Sequence, residues 1–180
     1  YVDGRKNGIW TWWFDSGIKQ SEGHYVDDEQ DGLWSYFSKD GSMAEEITFS
    51  GGKRDGRSTV WLTPEEKQEE KFYKNGKLDG PSTFWENGYR STMTTYKSDS
   101  PEGPWVIWFS NSDQIKEQGF HQKGIREGLT TYYYEDGTMQ REGFFKDGLP
   151  DGMWTYWNKE GEKDFDFDFG SGLQHISLED

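Results

Sequence analysis

Short runs in which apolar and polar residues alternate recur along this chain. Ile9-Trp10-Thr11-Trp12 and Met153-Trp154-Thr155-Tyr156 change sides at every residue. A period of two belongs to strands, not helices. Glycines also fall too often for any helix longer than about two turns. The runs hang on a recurring anchor, an acidic residue or Asn followed by Gly. It occurs as Asn7-Gly8, Asp31-Gly32, Asp55-Gly56, Asp79-Gly80, Glu102-Gly103, Glu127-Gly128 and Asp151-Gly152. The steps between these glycines are 24, 24, 24, 23, 25 and 24. A fixed period of this length signals a repeat array in which each copy is one supersecondary unit.

Counting from the anchor Gly puts every copy in register. Position two holds Trp10, Trp34, Ser58, Ser82, Trp105, Thr130 and Trp154, and position four holds Trp12, Tyr36, Val60, Phe84, Ile107, Tyr132 and Tyr156. Position five is aromatic in all seven copies: Trp13, Phe37, Trp61, Trp85, Trp108, Tyr133 and Trp157. Most copies place a second glycine about nine residues after the anchor: Gly17, Gly41, Gly88, Gly137 and Gly161. It supplies the positive φ of a tight hairpin turn. Thr63-Pro64-Glu65 and Asn111-Ser112-Asp113 replace it in two copies and predict other turns. A second, polar strand follows and ends on an aromatic, such as Tyr25, Phe49 or Phe145. A further glycine often precedes the next anchor, as at Gly52, Gly76 and Gly148. Each copy therefore reads strand, turn, strand, turn.

The predicted fold class is all-β, an elongated array of about seven stacked antiparallel hairpins forming a single sheet. Residues 1–169 form the array, residues 1–7 close a preceding unit, and residues 170–180 are a tail or capping strand. Positions two and four share one face and position five takes the other. At about 4.8 Å per strand, one hairpin advances roughly 10 Å and seven span on the order of 70 Å. Tyr1-Val2-Asp3-Gly4 matches the close of a unit, which leads to the expectation that further repeats precede it.

Composition sharpens this picture. Only 31% of the 180 residues are hydrophobic and 30% are charged, yet 18% are aromatic, with 10 Trp. Disordered chains are poor in aromatics. The apolar surface is therefore concentrated in a few large rings, which suits a thin sheet better than a deep core. The formal net charge of −14 disfavours nucleic acid and anionic lipid and favours a basic partner. With no cysteine, disulfides and thiolate metal sites are excluded. The sequence fixes no compartment.

Asp31-Gly32-Leu33-Trp34-Ser35-Tyr36-Phe37 followed by Asp40-Gly41, and Lys146-Asp147-Gly148-Leu149-Pro150-Asp151-Gly152-Met153-Trp154-Thr155-Tyr156-Trp157, resemble the MORN repeat. The likeness is closer to the bacterial MORN variant found in antitoxins of the YwqK type. The resemblance covers residues 1 to about 169. It implies a hairpin array that acts as a scaffold or interaction surface, and the antitoxin kinship implies a protein partner that is neutralised. Eukaryotic relatives are linked to membranes, an implication the acidic balance opposes.

The candidate binding residues are Trp10, Trp12, Trp34, Tyr36, Ser58, Ser82, Phe84, Trp105, Tyr132, Trp154 and Tyr156. As structural residues they hold the sheet through cross-strand pairs. As functional ones they form a stacking platform for an extended peptide or glycan, with a shallow groove at Ser58 and Ser82. Glu22, Glu46, Glu70, Glu142 and Asp166 predict a carboxylate ladder, either a solvated face or a docking strip for a basic partner. The acid before each anchor Gly is expected to form a turn. His24, His121 and His175 occupy three different registers, and no nucleophile elbow, phosphate loop, paired-histidine metal motif or dinucleotide fingerprint occurs. The expected function is a non-catalytic scaffold for protein–protein interaction with no metal or cofactor. A carbohydrate-binding or cell-surface module is the alternative, and exposed sheet edges offer self-association.

Overall fold

The computed structural model describes residues 1–170, so the expectations for the 171–180 tail and for His175 lie outside the described residues. The alternation seen in the sequence becomes 15 strands in one open antiparallel sheet, and no helix forms among the described residues. The strands are β1 (Gly8–Trp13), β2 (Lys19–Val26), β3 (Glu29–Phe37), β4 (Met43–Ser50) and β5 (Lys53–Trp61). Next come β6 (Lys67–Lys74), β7 (Lys77–Glu86), β8 (Tyr89–Lys97), β9 (Ser100–Trp108) and β10 (Ile115–Gln122). The two-residue β11 (Ile125–Arg126) precedes β12 (Gly128–Tyr133), β13 (Met139–Lys146), β14 (Leu149–Trp157) and β15 (Lys163–Asp168). Each strand pairs with the next in sequence order, except that β11 pairs only with β10, and β10 goes on to β12.

Two kinds of turn alternate. At one end the links have two residues, both at positive φ: Asp27 (48°) and Asp28 (71°), Asn75 (50°) and Gly76 (84°), Asp147 (52°) and Gly148 (81°). This is the turn whose twist matches that of the flanking strands. Where the second residue is not Gly it is Asp28 or Asp99, a type that tolerates the left-handed region. At the other end Gly17, Gly41, Gly137 and Gly161 take φ of 81–91° in longer loops, while Asn87 (53°) and Gly88 (81°) form a two-residue link of the first kind. Asn111 (φ 56°) does this work in one loop that lacks the glycine, and Thr63 Oγ1 accepts from the Glu66 N–H at 3.2 Å in the other.

The anchor glycines are not turns. They lie inside or at the start of the first strand of each hairpin, at positive φ, and from Gly32 onward they sit where the register slips. In five copies the residue before the anchor, Asn7, Asp55, Asp79, Glu102 or Glu127, reaches across to a turn about 20 residues later. Asn75 N–H donates to Asp55 Oδ2 at 2.9 Å, Lys123 N–H to Glu102 Oε2 at 2.8 Å, and Asp147 N–H to Glu127 Oε2 at 2.9 Å. Asn7 Oδ1 accepts from Asp27 N–H at 3.2 Å in the same way. The expected turn role of these acids is thus realised in the neighbouring hairpin.

The slip has two forms, set by the residue on the preceding strand. Where that residue is Gly23, Gly119 or Gly143, the anchors Gly32, Gly128 and Gly152 take φ of 75°, 77° and 63° in open space. Where it is Ile47, Lys71 or Thr94, Gly56, Gly80 and Gly103 take φ of 112°, 126° and 118°. A Cβ there would lie 2.9–3.1 Å from Thr48, Phe72 or Thr95.

This choice decides the packing of position two. Trp34 lies flat across Gly23, so close that a Cβ on Gly23 would fall 2.1 Å from the indole. Its Nε1 donates to the His24 carbonyl at 3.1 Å, and its ring centroid lies 5.0 Å from Tyr25 and 5.5 Å from Trp12. Trp154 repeats this over Gly143, donating to the Phe144 carbonyl at 3.2 Å. Ser58 and Ser82 stand instead beside Ile47 and Lys71, whose bulk replaces the indole. Trp105, blocked by Thr94, leans over Gly119 on the following strand. The buried rings of the sheet are thus at position two, with Trp34, Trp105 and Trp154 each 2% exposed. Position five, though aromatic in every copy, is mostly half-buried and ranges from Trp108 at 8% to Trp13 at 59%.

Candidate functional site

A sheet one layer thick presents two faces, and strand pairing assigns each side chain to one of them. The ring face carries positions two and four and the aromatics Tyr25, Phe49 and Phe145 near the end of the second strand of a hairpin. Its position-four row alternates with residues of those second strands. Tyr36, Glu45, Val60, Glu69 and Phe84 follow one another, and later Glu117, Tyr132, Arg141 and Tyr156. The opposite, ladder face carries hydroxyls and carboxylates in direct succession: Thr11, Glu22, Ser35, Glu46, Thr59, Glu70 and Thr83, then Thr131, Glu142, Thr155 and Asp166. The sequence placed the carboxylates; the intervening hydroxyls come from position three, which no reading of the aromatics singled out.

The ladder is partly neutralised. Lys19, Lys67 and Lys163, each three residues earlier, hold Glu22, Glu70 and Asp166 at 2.9, 2.8 and 2.6 Å. The Lys19 ammonium and then the Thr11 hydroxyl hold Glu22 below the usual carboxylate range, and Lys163 and Thr155 do the same for Asp166. Lys19 and Lys67 also lie over the rings of Phe37 and Trp85 at 5.8 and 5.4 Å. Glu46 and Glu142 have Met43 and Met139 in place of that lysine, and neither has an ion pair among the described residues.

Burial sorts the candidate binding residues. Trp34, Trp105 and Trp154 (2%), Ser58 (3%) and Ser82 (2%) are enclosed by the ring face. The shallow groove expected at Ser58 and Ser82 is therefore filled, because Ile47 and Lys71 occupy the space that the missing indoles would take. Trp10, Trp12, Tyr36, Tyr132 and Tyr156 are half-buried and Phe84 is exposed, so the solvent side of the ring face is built by position four. Lys6 covers Trp10, Trp12 and Tyr25 at 5.0–5.7 Å, which closes the N-terminal rings to a flat ligand. Burial raises the Tyr36 hydroxyl above its ordinary pKa, with Gln30 donating to it at 3.3 Å. Burial and then the Arg126 charge hold the His121 imidazole below its usual range, so it is neutral in neutral water.

The apolar surface left uncovered is on the ladder face. Phe120, Leu129, Phe144 and Met153 are 45–56% exposed and run across β10, β12, β13 and β14 beside Pro104. A depression of about 490 Å³ opens between Pro104, Phe120 and Leu129. Glu142 and Asp151 border this stripe. In the sequence Phe120 counts with the aromatics that end the second strand of each copy, whereas Leu129 and Met153 stand at position one and Phe144 one residue before Phe145, where the aromatic periodicity does not reach.

Among the described residues no cluster of His, Cys, Asp or Glu could hold a metal ion, and no helix is long and apolar enough to cross a membrane. No curated protein matches the chain. The kinship with bacterial antitoxins therefore stays with the sequence resemblance. Residues 6–27, 30–50 and 126–147 match the family model of the MORN repeat variant. These segments carry the anchors Gly8, Gly32 and Gly128, all of the open bulge with φ of 75–84°, while the copies built on Gly56, Gly80 and Gly103 have the tighter one. The three segments are thus similar to MORN repeats, which are in general non-catalytic modules for interaction with proteins or membranes.

Proposed function

We propose that this chain is a non-catalytic scaffold for protein–protein interaction, with its partner seated on the ladder face. The observation that carries this is the exposed stripe of Phe120, Leu129, Phe144 and Met153, bordered by carboxylates without an ammonium partner. Contiguous apolar surface rimmed by polar groups is characteristic of an interaction site. The bordering charge and the net charge of −14 favour a basic partner. Neutralisation of a basic protein, as by an antitoxin, is the specific form of this reading.

A pull-down with the immobilised chain tests it, alongside the variants Leu129→Ser and Phe144→Ser. The expected result is a protein retained by the wild type, released as salt rises to physiological strength, and lost with either substitution. A partner held equally by the variants, or indifferent to salt, refutes the reading. The glycan alternative loses its best rings, since Trp34, Trp105 and Trp154 are buried.

A further inference from the structure

One position on the ring face reverses its charge. In the position-four row, β4, β6 and β10 contribute Glu45, Glu69 and Glu117. Each meets a cation: Arg54 at 3.9 Å, Lys71 at 2.7 Å and Arg126 at 3.5 Å. The equivalent residue of β13 is Arg141, flanked by Tyr132 and Tyr156, with its guanidinium 4.1 Å from the centre of the Tyr132 ring. No acid answers it. The place two residues before the anchor, which gives Arg54 and Arg126 in other copies, is Pro150 here. Among the described residues Arg141 makes no hydrogen bond or ion pair, and its Nε is buried without a partner. Arg5, Arg54, Arg90 and Arg126 each meet a carboxylate, and Arg57, the other arginine without one among the described residues, is exposed to water, whereas Arg141 is half-buried.

Arg141 also stands where two depressions meet. One, of about 640 Å³, is lined by Tyr132 together with Lys116 and Lys159 and the carboxylates Glu117, Glu135 and Asp136. The other, of about 390 Å³, is lined by Tyr156, Phe165 and Asp164. Tyr134, Gln140 and Arg141 line both, so the groove runs through rather than ending at the arginine.

We propose that Arg141 anchors the side-chain carboxylate of an extended acidic peptide laid across the ring face between β10 and β15. A guanidinium offers a planar fork of N–H donors that matches a carboxylate with two parallel bonds. Stacking on Tyr132 fixes the plane of that fork in advance. Lys116 and Lys159 offset the carboxylates of Glu135 and Asp136 in the same depression, so the guanidinium itself supplies the attraction, and the rings of Tyr156 and Phe165 provide apolar contact for the neighbouring peptide residue. A groove open at both ends takes an internal residue rather than a chain terminus. This site is on the face opposite the proposed docking stripe and does not depend on it.

Three probes test the assignment: N-acetyl-Phe-Glu-amide, N-acetyl-Phe-Gln with a free C-terminus, and neutral N-acetyl-Phe-Gln-amide. NMR of the Arg141 Nε–Hε resonance, which burial protects from exchange, and of the Tyr132 ring reports binding. The Glu probe is expected to shift both in a saturable way and to bind at least tenfold more tightly than the neutral probe. Arg141→Gln should erase that preference with the backbone spectrum otherwise retained, and Arg141→Lys should retain part of it. Equal binding of charged and neutral probes overturns the site, as does an unchanged preference in Arg141→Gln. Tightest binding by the free C-terminus, or displacement of the Glu probe by lower concentrations of inorganic phosphate, overturns the assignment to a side-chain carboxylate.

Discussion

A single methyl group added at Gly23 tests how the ring face is packed. Gly23 has an ordinary strand conformation, and at an unobstructed site of this kind Gly→Ala stabilises by about 0.4–1 kcal/mol. Here the new Cβ would lie 2.1, 2.3 and 2.5 Å from three atoms of the Trp34 indole, well inside contact distance. The backbone of β2 is pinned on both sides, so the indole has to leave. Its burial, now all but 2% complete, is worth about 3 kcal/mol, and its bond to the His24 carbonyl about 1 kcal/mol. Set against the gain in chain entropy, Gly23→Ala should destabilise by about 3 kcal/mol. Urea unfolding followed by tryptophan fluorescence and near-ultraviolet circular dichroism measures this. In a Trp34→Ser background the same methyl group should instead stabilise by about 0.5 kcal/mol, since Ile47 beside Ser58 shows that bulk is accepted once the indole is gone. The two substitutions therefore couple by about 3.5 kcal/mol in a double-mutant cycle. A neutral or stabilising Gly23→Ala in the wild-type background, or additive effects, would refute the packing argument.

Gly51 (φ 53°) begins a two-residue turn where another copy places Asn75 at 50°, so Gly51→Asn should raise stability by about 0.5 kcal/mol, read as a higher unfolding midpoint. Glu127→Ala removes the acceptor for the Asp147 N–H and should cost about 1 kcal/mol, whereas Glu127→Gln keeps an acceptor and should cost less; loss of the two in equal measure sinks the assignment. Lys163→Met copies the residue found at Met43 and Met139. It should bring the Asp166 carboxyl back up toward the ordinary aspartate range in an NMR titration, because Lys163 is the largest cause of its depression. The sign for stability follows: the Lys163–Asp166 pair supports the last hairpin above that range and its support fades as pH falls through the lowered value, so the variant should lose the acid sensitivity.

The strands, their order and their two faces were legible because side-chain alternation and a fixed period are properties of the chain itself. Less legible was where the chain turns. Asp31-Gly32 and Asp55-Gly56 look like turn dipeptides, yet they occupy bulges, because residues such as Val26-Asp27-Asp28-Glu29 already close the hairpin. The variation at position two suggested specificity. Its cause is a size exchange with the residue eleven places earlier, Gly23 with Trp34 and Ile47 with Ser58, which appears only when strands are laid side by side. Arg141 was hidden for the same reason, since its interest is a partner that Pro150 fails to supply. The exposed stripe through Leu129 and Phe144 is not legible in the sequence because position one varies from Ile9 to Arg57 to Pro104 and carries no periodic signal.

In five copies the side chain before the anchor accepts from an N–H about twenty residues downstream, as Asn7 does from Asp27, Asp55 from Asn75 and Glu127 from Asp147. The bond thus has a polarity along the chain. As the polypeptide leaves the ribosome, the acceptor is already held in a finished strand when its donor emerges. In synthesis order the acceptor precedes its donor, so a hairpin that carries this bond docks on a strand already made, while the same segment emerging alone lacks the upstream oxygen that would hold its first turn. A nascent chain that stalls just past a two-residue turn ends on a satisfied edge. One that stalls midway between turns leaves its newest acid empty and its newest ring uncovered.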